Sequence, residues 1–108
     1  MSARSEYDAA YFTLLRAVEE RDALLRYRAY LEVESDRLDG FVQQTRELAE
    51  PVSAKVRRPV DQTTKALLEA VGRRRSTVLD ELRRVDDRVA NAEAFVAECE
   101  AELTALRG

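Results

Sequence analysis

The chain has no histidine, no tryptophan, one cysteine, two prolines and three glycines in 108 residues, and each shortage removes a class of chemistry. Without histidine the commonest general base, metal ligand and near-neutral pH switch is missing. The Glu-x-x-His pairs on which di-iron helical bundles depend are missing with it. A lone cysteine, Cys99, cannot build a multi-thiolate zinc or iron–sulfur site or an internal disulfide, and it fits a reducing cytoplasm. Neither a glycine-rich phosphate loop nor a G-x-S-x-G turn occurs. Glu32 with Asp36, and Glu98 with Glu102, are carboxylate pairs four residues apart; they read as solvated acidic faces. The expectation is a protein that is no enzyme, with no catalytic residue, no cofactor and no metal. Long apolar runs are lacking too. No segment nears the ~20 apolar residues that span a bilayer, and the opening Met-Ser-Ala-Arg-Ser-Glu begins no secretory signal. A cytoplasmic location is expected, and sixteen arginines against two lysines point to a GC-rich bacterial genome.

The scarce residues are also placed in a pattern. Pro51 and Pro59 bracket the midpoint, and Gly40 and Gly72 stand on either side. Proline breaks a helix interior because it lacks the amide hydrogen and clashes with the preceding turn. Between these marks the sequence is 36% charged and 45% hydrophobic, the composition of long helices and coiled coils. The layout predicts an all-α fold in one domain over residues 1–108: a long antiparallel two-helix coiled-coil hairpin with helices at about 5–49 and 60–106. A helix of 45 residues spans ~68 Å. Ser5 followed by Asp8 resembles a capping box, and Pro59 suits a helix opening. Gly40 and Gly72 read as a hinge, a close helix approach or tolerated helical glycines. A full break at both would instead give four helices, with 41–50 and 60–71 as short separate ones.

The second half carries the cleaner periodicity. Val60, Thr64, Leu67, Val71, Arg74, Val78, Leu82, Val85, Val89, Ala92, Val96, Cys99, Leu103 and Leu106 alternate steps of four and three, apart from one four-four step. Such a seam of 3.5-residue period suits one partner helix. Cys99 falls on it and reads as a small buried hydrophobe. The first half has a comparable seam from Leu24 through Tyr27, Leu31, Ser35, Leu38, Val42, Thr45 and Ala49 to Val52. Nearer the start the apolar set widens to Tyr7, Tyr11, Phe12, Leu14, Leu15, Val18, Leu24, Leu25, Tyr30 and Val33. One narrow partner cannot cover so broad a face, and exposed apolar patches of that extent mark self-association or binding surfaces.

Two functional expectations follow. Tyr7, Tyr11, Leu15, Val18 and Tyr30 are candidate partner-binding residues. They suit a homodimer paired into a four-helix bundle, or a docking face for another protein. The chain would then be a coiled-coil adaptor or regulator acting by docking or occlusion. Charge gives the alternative. Residues 51–75 carry seven basic and two acidic side chains, while residues 1–50 and 76–108 are each net −4. Lys55, Arg57, Arg58, Arg73, Arg74 and Arg75 would form a basic hairpin tip for an anionic ligand or nucleic acid. Nucleic acid is the weaker expectation, because no aromatic is interleaved with these bases for stacking.

Overall fold

The computed structural model describes residues 3–108, and two helices account for nearly all of them. Helix α1 runs Ala3–Ala49 and helix α2 runs Arg57–Arg107; no strand occurs among the described residues. No helix is long and apolar enough to cross a membrane among these residues. The all-α helical hairpin expected from the proline and glycine positions is what the chain forms.

The seven-residue connection, 50–56, holds Pro51 and turns the chain without a glycine or a positive φ. Its amides find local acceptors: Glu50 N–H donates to Arg46 O at 3.2 Å and Val56 N–H to Ser53 O at 3.2 Å. Arg57 Nη1 reaches back to Glu50 O at 3.3 Å, closing the turn across the last carbonyls of α1. Pro59 lies in the first turn of α2, where an amide has no intrahelical acceptor to lose. At the other end, α1 is already helical at Ala3. Ser5 is therefore inside the helix and not at its N-cap, and the Ser5/Asp8 capping box is corrected to helical residues.

Contacts divide the hairpin into two compact units. One joins α1 up to Ala29 with α2 from Arg83; the other is Tyr30–Leu82. In the first, Tyr7 meets Arg107 and Arg28 meets Asp86, so an advance along α1 is matched by an equal retreat along α2. The helices of this unit are thus antiparallel. Ala10, Ala17, Val85, Val89, Val96, Cys99 and Leu103 are buried here, with Leu14 and Val18 packed against the cluster of Ala17, Val96 and Cys99. Val85 has no exposed surface at all. In the second unit Leu31, Leu38 and Val78 are buried, and Asp39 and Arg75 bridge the helices at 2.9 Å.

The seam differs from the expected one at three places, and always in the same direction. On α2 it passes through half-buried Leu68, while Leu67 stays 43% exposed. With Leu68 and Arg75 in place of Leu67 and Arg74, steps of four and three alternate without a stutter from Thr64 to Leu103. On α1, half-buried Arg28 replaces exposed Tyr27. Gly40 and Gly72 break neither helix, and a Cβ built on either would meet nothing within 4 Å. The close approach and the four-helix arrangement are corrected: these are helical glycines facing open space.

Two stability outcomes follow. Gly40→Ala and Gly72→Ala should each stabilise the hairpin by roughly 0.5–1 kcal/mol, because alanine loses less backbone entropy in a helix and nothing obstructs its methyl. Leu68→Ala should cost about 1–2 kcal/mol and Leu67→Ala no more than about 0.5 kcal/mol. Urea unfolding followed by far-UV circular dichroism measures both, and equal losses at the two leucines would refute the seam's register.

Candidate interaction surface

In a two-helix fold each helix can bury one stripe, so any second apolar stripe must stay on the surface. Helix α1 has one. Its first seam, carried back from Leu24 by alternate steps of three and four, passes through Arg21, Ala17, Leu14, Ala10 and Tyr7, all buried or half-buried. The second stripe is Tyr11, Leu15, Val18, Asp22 and Leu25, again with steps of four and three, on the flank next to the first. Tyr11 and Leu15 are each 42% exposed, and Val18 and Leu25 are half-buried. Phe12, 65% exposed, packs its ring edge-to-face on Tyr11 with centroids 5.8 Å apart. Asp22 accepts from Arg21 Nε at 3.2 Å.

The five expected partner-binding residues therefore do not form one patch. Tyr11 and Leu15 share the outward stripe with Val18, which also packs on the Ala17, Val96 and Cys99 cluster. Tyr7 belongs to the seam: Arg107 Nε and Nη2 donate to its hydroxyl at 3.3 and 3.2 Å. That guanidinium is 5.9 Å from the ring centroid and sits at the hydroxyl end, so the contact is a hydrogen bond to the phenol oxygen more than a stack on the ring face. Tyr30 is exposed but lies in the Tyr30–Leu82 unit.

On the opposite flank of the first unit, the small side chains of Ala17 and Ala92 leave an open groove of about 460 Å³, bordered by Leu24, Phe95, Glu20 and Arg88. Its floor is shallow and apolar. Among the described residues no three His, Cys, Asp or Glu side chains gather in a metal-binding group.

The six cations assigned to one basic tip are also divided. Arg73, Arg74 and Arg75 follow Arg57 by sixteen to eighteen residues, about 24 Å along α2, so the tip proper keeps Lys55, Arg57 and Arg58, with Lys65 two turns on. Arg57 shares its charge with Asp61 at 3.7 Å. Arg75 is paired with Asp39 at 2.9 Å, and Arg74 Nε lies 3.6 Å from Glu34 Oε1.

Glu34 is the residue that periodicity alone missed. It is the one buried charged side chain among the described residues, 7% exposed, on the edge of the seam. Arg37 holds it from the same helix, Nη2 donating to Oε1 at 2.8 Å and Nε to Oε2 at 3.0 Å. Arg74 approaches from the other helix. The bidentate hydrogen bonds from Arg37 draw the carboxyl below its ordinary 4.5 despite the opposing cost of desolvation, and the charges of Arg37 and Arg74 add to the effect. Arg74, which interrupts the expected seam, is thus the cross-helix partner of a covered acid. Cys99 is buried as expected; burial pushes its thiol up, with the nearby Glu102 and Glu98 carboxylates adding to the shift, which keeps it out of thiolate chemistry.

No protein-family model, curated protein or solved structure matches this chain.

The Glu34 cluster has a defined pH signature. Its folded carboxyl titrates below the unfolded value, so its contribution is complete above about pH 4.5 and is lost as pH falls through the lower folded value. Glu34→Gln should therefore differ from the parent by a constant stability above that pH, and the gap should close on acidification. Urea midpoints measured across the acid range give the answer; a gap that widens as pH falls would contradict the assignment.

Proposed function

We propose that this protein is a non-enzymatic protein–protein interaction module: a helical adaptor or regulator that docks an amphipathic helix on the N-terminal part of α1 and acts by scaffolding or by occluding the surface it covers. The observation that carries this reading is the second stripe, Tyr11, Leu15, Val18 and Leu25, running beside a seam that α2 already fills. Its steps of four and three match the period of a coiled-coil partner. Its aromatic end, Tyr11 with Phe12, supplies the large rigid side chains that dominate interface energies. A bacterial cytoplasmic setting agrees with the arginine bias and the single buried thiol.

The second reading places an anionic ligand at the start of α2. Lys55, Arg57, Arg58 and Lys65 face a single acid, Asp61, within this stretch, and no acidic side chain occupies the first turn of α2, where negative charge is favoured. Salt separates the two. Attraction to a polyanion through several cations falls steeply as salt rises, whereas docking on an apolar stripe does not.

Photo-crosslinking in the cell tests the docking reading. A benzophenone side chain at Leu15 should give a defined adduct, and one at Gln62 beside Asp61 should give none. The reading is abandoned if position 15 yields no adduct while the purified variant keeps the helicity of the parent.

A further inference from the structure

The docking stripe has an order that suits one occupant in particular. We propose that a second copy of this chain covers it, the two α1 helices running antiparallel about an axis between Leu15 and Val18. This rests on the docking reading above and names its partner.

The argument is one of complementarity along the stripe. Four of its five residues are arranged about the apolar pair Leu15 and Val18, with Tyr11 on one side and Asp22 on the other, and Leu25 lies one step beyond Asp22. Antiparallel pairing about that centre sets each Leu15 on Val18 of the second copy. It also sets each Tyr11 on Asp22 of the second copy. The phenol brings a hydroxyl donor for which no acceptor is found among the described residues. Asp22 keeps acceptor capacity beyond its one bond to Arg21 Nε, and a carboxylate taken from water needs such a donor. Leu25, already half-covered within its own hairpin, falls at the rim beside Asp8 of the second copy.

A parallel arrangement fails on charge. It would place Asp22 on Asp22 and leave both phenols facing each other, the like-charge arrangement that coiled coils use to reject a partner. An unrelated apolar helix would cover Leu15 and Val18 equally well but would leave Asp22 facing hydrocarbon. A helix with a donor eleven residues from its own acid satisfies both ends, and this chain supplies that helix itself. The pairing is isologous and closed, so it stops at two copies.

Absolute mass by light scattering behind a sizing column, at two concentrations of the full chain about tenfold apart, reads the association. The expected mass is twice 12.3 kDa. Leu15→Glu should move it to the monomer with helicity unchanged. Tyr11→Phe, which removes only the hydroxyl, should weaken the dimer roughly tenfold. Orientation is read in a Cys99→Ala background: a mixture of Leu15→Cys and Val18→Cys chains should oxidise to the mixed dimer faster than either variant forms a dimer with itself. A monomer at both concentrations overturns the inference, as does a dimer indifferent to Leu15→Glu or one whose cross-links are no faster in the mixture. A monomer that still forms an adduct at position 15 in the cell overturns self-pairing and leaves the docking reading standing. A monomer with no adduct removes both.

Discussion

Every other feature of this protein depends on a constraint of number: each helix has one neighbour. A helix in a globular core can bury several faces, but here α1 can offer α2 only a narrow stripe, and whatever lies outside it meets solvent. The seam must then be continuous, because no third element can repair a gap. The structure obeys this with an unbroken alternation of steps of three and four, even where the residue at the seam is polar. Arg28, Ser35, Thr45 and Thr64 occupy seam positions as half-buried residues, and the helices do not shift to bring Tyr27 or Leu67 inward instead. Register outranks hydrophobicity at any single position, because moving one residue inward would turn every other one outward.

The polar positions are tolerated because the core is thin. A charged side chain at the edge of two helices can keep its head in water while its stem packs, as Arg28 and Arg75 do with Asp86 and Asp39. Glu34 is the exception, closed off by its neighbours and answered by two arginines. Such an exposed-edge network adds little net stability, but a covered acid that requires Arg74 opposite it penalises alternative registers within its unit. Its value lies in specifying which residues face each other.

The same constraint exposes the surface on which a function can be based. Alanines at 10 and 17 take two of the seam positions in the N-terminal part of α1, between Tyr7 and Leu14 and beyond, while Tyr11, Phe12 and Leu15 stand beside the seam. The large apolar side chains left outside the seam are the ones that the proposed docking contact would use.

The sequence by itself determined the two helices, the turn between the prolines, the antiparallel pairing and most of the α2 core, because these follow from local backbone chemistry and from a period that is visible in a single chain. Val78, Val85, Val89, Val96, Cys99 and Leu103 could be read as one stripe without knowing what they touched. Ala10, Ala17 and Glu34 could not: alanine reads equally well as surface, and an acid reads as solvated unless the opposite helix is known to cover it. Extending the strict three-four alternation from Leu24 would have reached both alanines going back and Arg28 going forward, but preferring the more apolar residue at each step led to Tyr27 and Leu67. The division of the expected basic tip, the pairing of Arg74 with Glu34 and the open space around Gly40 and Gly72 were decided by tertiary structure alone. The division of the tip follows from α2 running unbroken from Arg57; the others depend on which residues of one helix lie across from which residues of the other. That register is a property of two segments packed together, and neither segment's own periodicity contains it.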